Sequence, residues 1–370
     1  MPSRALSRIN RRYIPTFMPR EINYAQAILE ATDQCLANDP SVYIMGLGVT
    51  DPKGVFGTTV GLEKKHGSER VMDMPVAENG MTGIAIGSAL VGMRPIMTHQ
   101  RIDFMLLALD QIINNAAKWH YMFGGKKKIP LVIRLIIGKG WGQGPQHSQS
   151  LQALFAHIAG LKVVMPATAY DAKGLMIAAV EDDNPVIFIE HRWLHNVFGP
   201  VPEEMYRVEI GKARKIKEGK DLTVVASASM TLEALKASQY LAKDNIDLEI
   251  IDLRTIKPLD KNAILESVKK TGRLLVVDGA WKSFGVSAEV IAAVAENGAS
   301  LLKANPQRVT FPDVPTPTSR ALANYYYPRT IDIISAARKM FDLAEITEET
   351  VGISNDIPLD VPDKAFTGPF

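Results

Sequence analysis

The chain reads as an α/β protein of two successive units, each a largely parallel sheet with covering helices. Three observations predict this. Short apolar runs of strand length alternate with stretches of helical period along most of the sequence. That texture breaks once, between Val197 and Glu218, where Gly199, Pro200 and Pro202 sit among mixed charges. And 370 residues suffice for two or three separate cores.

In order, residues 1–20 carry Arg4, Arg8, Arg11, Arg12 and Arg20 without an acidic residue. Pro2, Pro15 and Pro19 interrupt any amphipathic helix there, so this is a basic arm that packs on a partner rather than a transit peptide. The first unit spans 21–196. It predicts a helix over Glu21–Ala37, a buried strand over Val42–Gly48, a helix over Met81–Met93 and a strand over Arg94–Thr98. A long helix is predicted from Asp103 to about Phe123, because Phe104, Leu107, Ala108, Ile112, Ala116, Trp119 and Phe123 recur at helical spacing. Strands over Ile129–Ile137, Val163–Met165 and Val186–Glu190 follow, with a helix over Asp171–Asp182. Residues 197–220 form a linker. The second unit, 221–342, predicts strands Leu222–Ala226, Leu248–Ile251, Arg273–Asp278 and Arg308–Phe311. Its helices are Met230–Ala242, Lys261–Lys270, Val286–Glu296 and Thr330–Phe341. Residues 343–370 are an acidic, proline-containing tail.

Composition removes several function classes. The net charge of +2, from 42 basic and 40 acidic residues, gives no bulk attraction to nucleic acid or membrane. Lys126–Lys128 is a solvated loop, too short for a nucleic-acid stripe. The single cysteine, Cys35, excludes an internal disulfide and a cysteine-rich metal site, as suits a reducing cytoplasm. No apolar run is long enough to span a bilayer.

The residue that draws attention is Glu78, in the segment Val71-Met-Asp-Met-Pro-Val-Ala-Glu-Asn-Gly80. A carboxylate emerging from Met74, Pro75, Val76 and Ala77 leaves water behind, and a desolvated carboxylate needs a partner. The helix after it has Gly83, Gly87 and Gly92, where another backbone can come close. On this segment alone, a first-turn Glu favoured by the helix dipole is the stronger account. The loop Gly138-Lys-Gly-Trp-Gly-Gln-Gly-Pro-Gln-His147 lacks the Gly-Lys-Ser/Thr ending of a phosphate loop. Its glycines let it follow a ligand or subunit, and a histidine so held can act near neutral pH.

Glu78 and its helix are followed by Asp103–Lys118, Gly142–Ser150, Gly160–Pro166, Tyr170–Leu175 and Asp182–Glu190. In this order and spacing they resemble the β-subunit of thiamine-diphosphate-dependent 2-oxoacid dehydrogenases, the decarboxylating component of pyruvate and branched-chain dehydrogenase complexes. The resemblance runs from about Glu21 to Phe341. It implies a thiamine-diphosphate pyrimidine-binding domain followed by a smaller transketolase C-terminal-like domain.

By this resemblance Glu78 holds the proton at the aminopyrimidine of thiamine diphosphate, and Val76, Gln100 and Phe104 line that ring. His147 acts at the mouth of the site during acyl transfer. Core packing for Phe104 and a strand-end polar role for Gln100 stay open. The positions matching Leu131, Ala179, Val180, Asp182 and Asn184 hold potassium in the family; a metal-free helix end is the competing account. No Gly-Asp-Gly segment with a downstream Asn pair is present, so magnesium and diphosphate are expected on an α-subunit, in an α2β2 heterotetramer. The implied substrate is a small 2-oxoacid and the implied acceptor a lipoyl acyltransferase.

The chain departs from the family twice. Leu47 occupies a usually acidic relay position. Thr98 replaces the usual acid after the strand, with Arg101 nearby, an edge suited to an anionic or polar 2-oxo substrate. Two rivals remain: the C-terminal half of a split transketolase or carboligase, and a non-catalytic assembly subunit.

Overall fold

The computed structural model describes residues 20–138 and 142–351. The basic arm up to residue 19, the tail from residue 352 and residues 139–141 of the glycine-rich loop lie outside the described residues.

Two sheets organise the chain. The first has seven strands, in spatial order Thr255–Lys257, Lys162–Val164, Val186–His191, Val132–Ile137, Arg94–His99, Val42–Gly46 and Val71–Met72. Every pairing is parallel except the antiparallel edge made by Thr255–Lys257. The central strands Val132–Ile137 and Val186–His191 are buried along their whole length, which is why they read as unbroken apolar runs rather than alternating ones. The second sheet has the order Gln307–Phe311, Leu274–Trp281, Leu222–Ala226, Leu248–Asp252 and Arg214–Lys217, the last strand antiparallel.

The first helix begins later than its sequence suggests. Glu21–Asn23 is extended and pairs with Phe198–Pro200, and the helix runs over Tyr24–Asn38. Asn23 caps it: its side chain accepts from the Gln26 amide at 2.8 Å, while the Gln26 side chain accepts from the Asn23 amide at 3.0 Å. The expected linker is likewise structured at both ends, by Phe198–Pro200 and by Arg214–Lys217. The long helix expected after Asp103 is a series of helical segments: Ile102–Met105, a tight turn at Leu106–Ala108, a π-helical stretch at Gln111–Ala116, and Ala117–Met122. Widened π segments recur at functional sites. Here Gln111 lies beside Gly83 of helix Glu78–Leu90, 3.6 Å from where a Cβ would stand.

One apolar cluster runs through both units, and the second unit keeps a further cluster of its own around Leu222, Val277 and Ile334. The first core cluster includes Ile133, Phe188 and Leu175 of the first sheet and its helices together with Ile251, Ile256 and Val290 of the second unit. Thr255–Lys257, a strand with no clear sequence signal, carries the second unit into the first sheet, pairing Thr255 with Val164. No helix among the described residues is long and apolar enough to cross a membrane.

Candidate active site

Helix Glu78–Leu90 starts on Glu78 itself, and the preceding Ala77 offers no side-chain cap. Glu78 is 8% exposed, and its backbone carbonyl accepts from Thr82 Oγ1 at 2.7 Å. Among the described residues no hydrogen bond or ion pair reaches its carboxylate. Two residues earlier Val76 is 73% exposed. Glu78 is thus a nearly buried acid with no partner among the described residues, close in sequence to an outward-facing valine.

Asp73 fixes the approach to this helix by accepting from the Gly48 amide at 2.9 Å and the Met74 amide at 2.8 Å. Gly48 has φ +76°, a backbone that favours glycine, and a Cβ there would stand 2.9 Å from Gln100 Nε2 and so push that side chain aside. Gln100 donates to the Leu47 carbonyl at 3.2 Å and borders a cavity of about 360 Å³ with Asp51, Lys53, Val55 and Phe56. The Leu47 position thus contributes a backbone oxygen to Gln100.

The segment Arg101–Phe104 meets the His147 loop at successive points. Arg101 Nη2 donates to Gln143 Oε1 at 2.6 Å. Asp103 Oδ1 accepts from Gln149 Nε2 at 2.8 Å and from its amide at 3.4 Å. The Phe104 and His147 rings meet edge to face, centroids 5.4 Å apart at 87°. Burial pushes the Asp103 carboxyl up, against the pull of the Gln149 bonds. Burial also pushes His99, at the end of strand Arg94–His99, down to about 4, which keeps it neutral.

Behind this surface lies a charged cluster that sequence reasoning missed. Arg134 and Glu190, both fully buried on neighbouring strands, pair at 2.7 Å, and Arg134 Nη2 also donates to Thr58 Oγ1 at 2.8 Å. His195 Nε2 lies 3.2 Å from Glu190 Oε2, and Arg192 Nη1 lies 3.2 Å from His195 Nδ1. Arginine can only donate, so Nδ1 accepts and Nε2 carries the proton, assigning a neutral imidazole. Burial, outweighing Glu190, lowers His195 accordingly. Burial also raises the Glu190 carboxyl, but Arg134 and His195 prevail and hold it at about 2. The Arg192 guanidinium stacks on Phe56 at 4.3 Å and is lowered to about 9 by burial and then by Arg101. The available signal was a charge inside each of two adjacent apolar strand runs; such a residue pays for burial only when paired.

The oxygens expected to hold potassium gather at the end of helix Ala169–Glu181, beside strand Val132–Ile137. Leu131 O accepts from the Val186 amide at 2.9 Å, and Ala179 O from the Asp182 amide at 3.3 Å. Arg94 Nη1 donates to Val180 O at 3.0 Å and Asp182 O at 3.1 Å. Asp182 Oδ1 accepts from the Asn184 amide at 2.9 Å, and Oδ2 pairs with Lys162. Positive charge therefore already meets two of these carbonyls and the carboxylate, although each carbonyl retains a second lone pair. Among the described residues no group of three or more His, Cys, Asp or Glu side chains is placed to hold a metal ion.

Comparison with known proteins gives this geometry a context. The transketolase pyrimidine-binding domain model matches residues 20–196, and the transketolase C-terminal domain model matches residues 211–333. The β-subunit of acetoin:2,6-dichlorophenolindophenol oxidoreductase from Cupriavidus necator is 46% identical, over 87% of this chain and 98% of its own. The β-subunit of the pyruvate dehydrogenase E1 component from Rickettsia felis is 40% identical, over 86% of this chain and 98% of its own. A solved split-gene transketolase, described as an inactive β4 tetramer, superposes with a TM-score of 0.70 at 24% identity, over 87% of this chain and 99% of that one, and so speaks to the fold. Two α/β units in this order, with an acid opening the helix at Glu78, place the chain in the family of 2-oxoacid dehydrogenase E1 β-subunits, with their transketolase-type pyrimidine-binding and C-terminal domains.

Proposed function

We propose that the chain supplies the aminopyrimidine half of a thiamine-diphosphate site, in an enzyme that cleaves a 2-oxoacid oxidatively and passes the acyl group to a lipoyl acceptor. The observation that carries this is Glu78, an acid only 8% exposed whose carboxylate has no hydrogen-bond or ion-pair partner among the described residues. Thiamine diphosphate, when bound, supplies the electron sink for breaking the bond beside the carbonyl. Glu78 would hold and return a proton at a pyrimidine ring nitrogen, a task suited to a desolvated acid whose hydrogen bonds are strong. Val76 and Phe104 would offer apolar surface to that ring, and Gln100 a polar edge. His147, held against Phe104, would serve the transfer step as a donor to the acyl oxygen.

The partner in this reading is an α-subunit carrying the magnesium–diphosphate half, in an α2β2 assembly. The names of both curated relatives, each a β-subunit, support it. Calorimetric titration of thiamine diphosphate into the chain alone should show weak binding, and sub-micromolar affinity without a partner would overturn the two-subunit reading. Co-expression with an α-type subunit, followed by a donor panel, tests the reaction. The acetoin relative at 46% identity makes acetoin a necessary member of that panel beside pyruvate and branched 2-oxoacids.

A potassium ion on the oxygens of Leu131, Ala179, Val180, Asp182 and Asn184 fits a hard cation's preference for oxygen. Arg94 and Lys162 supply competing charge at the same place. Melting curves in potassium and in choline buffer decide: a higher melting temperature in potassium supports the ion, and coincident curves remove it.

A further inference from the structure

The loop from Gly142 to Ser150 has no helix or strand of its own. Gly142 and Gly144 adopt φ +73° and +74°, so its backbone is set by contacts rather than by repetitive hydrogen bonding. On one side it rests on the second unit, where Thr316 Oγ1 donates to Ser148 O at 3.5 Å and Thr318 Oγ1 stands 2.6 Å from where a Gly144 Cβ would be. On the other side it meets Arg101, Asp103 and Phe104. These engage Gln143, Gln149 and His147 respectively, so the loop is gripped on both flanks of the histidine.

Asp103 takes hold of loop backbone and side chain together. Its Oδ1 accepts both the amide and the side-chain nitrogen of Gln149, two residues beyond His147. Asp103 is 8% exposed, so these bonds work where water competes little. We propose that Asp103 is a positioning residue for the acyl-transfer step, setting where His147 stands by anchoring Gln149. The proposal rests on the assignment of His147 to that step, and goes beyond it by naming what holds the histidine in place. Phe104 orients the ring; Asp103 fixes the backbone that carries it. Misplacement of a reacting group by as little as about 1 Å costs on the order of 10²-fold, so loss of such an anchor is visible in rate.

The test uses the chain co-expressed with its α-type partner and compares two electron acceptors. Lipoyl-linked turnover needs acyl transfer, whereas ferricyanide oxidises the intermediate without it. Asp103→Ala should lower lipoyl-linked turnover by roughly 10- to 100-fold while ferricyanide-linked turnover falls by less than about threefold. Asp103→Asn keeps an oxygen that accepts from Gln149 and should restore most of the lipoyl-linked rate. Should Asp103→Ala fail to fold, Gln149→Ala, which leaves the backbone amide bond intact, should show the same split at smaller size. His147→Ala is the control. If His147→Ala splits the two assays and neither Asp103→Ala nor Gln149→Ala does, the anchoring role is wrong and the histidine assignment stands. If His147→Ala lowers both assays equally, the histidine assignment is wrong and the Asp103 proposal falls with it.

Discussion

The His147 and Phe104 rings meet edge to face at 87°, their centroids 5.4 Å apart, joining a loop residue to the first helical turn after Gln100. An edge-to-face pair of this kind contributes about 0.5–1.5 kcal/mol beyond the area it buries.

Phe104→Leu keeps an apolar side chain but removes the ring. Lipoyl-linked turnover of the assembled enzyme should fall by a factor of about 2 to 10, the rate equivalent of that pair energy. Full retention of turnover would show that the contact does not orient His147.

Glu78→Gln tests the acid. The amide preserves shape and hydrogen bonding yet cannot exchange a proton, so decarboxylation should fall by roughly 10²–10⁴-fold with assembly intact. Size-exclusion chromatography confirms the assembly; near-normal turnover would reduce Glu78 to a helix-start residue.

Arg134→Met removes one member of a wholly buried pair and strands the Glu190 carboxylate. Loss of one partner in such a pair costs about 3–5 kcal/mol, and urea unfolding should show a deficit of that size. A smaller loss in the double variant Arg134→Met with Glu190→Gln would confirm that the stranded charge, rather than lost volume, is the cause.

Asp252 gives the chain a signed pH dependence. It is fully buried, and burial first, then the nearby Asp171, pushes its carboxyl up to about 8. The folded value lies above the ordinary carboxylate value, so its contribution is fully present at acid pH and is lost as pH rises through about 8. Urea midpoints at acid, neutral and alkaline pH should therefore fall more steeply for the native chain than for Asp252→Asn. Parallel profiles would show that Asp252 is not the group responsible.

Much of the fold was legible because it is local. The runs at Val42–Gly46, Val132–Ile137 and Val186–His191 are buried strands, and apolar continuity announces them. Thr255–Lys257 is not legible: it is three residues long, and what makes it a strand is Val164 on the other unit's sheet. The break in the helix after Asp103 also escaped, since Ile112 and Ala116, four residues apart, stay buried through the π-helical stretch as they would in a regular helix. Of the candidate site residues, Glu78, Gln100, Phe104 and His147 are named from motif order. Asp103 looked like a helix start, and its tie to Gln149 is a meeting of distant segments that no periodicity encodes. The Arg134–Glu190–His195 cluster escaped for a related reason, as each charge is isolated in its own stretch of sequence.

The strand Thr255–Lys257 also bears on how the chain can be divided. A fragment ending in the connection near residue 220 would keep the other strands of the first sheet but lose its outer antiparallel neighbour. The backbone amides and carbonyls of Lys162–Val164 would then line an open edge with nothing to pair them. Open edges recruit other chains and invite aggregation. The first unit is therefore sealed by a piece of the second, and the two are bound into a single structural commitment that domain-by-domain expression would undo.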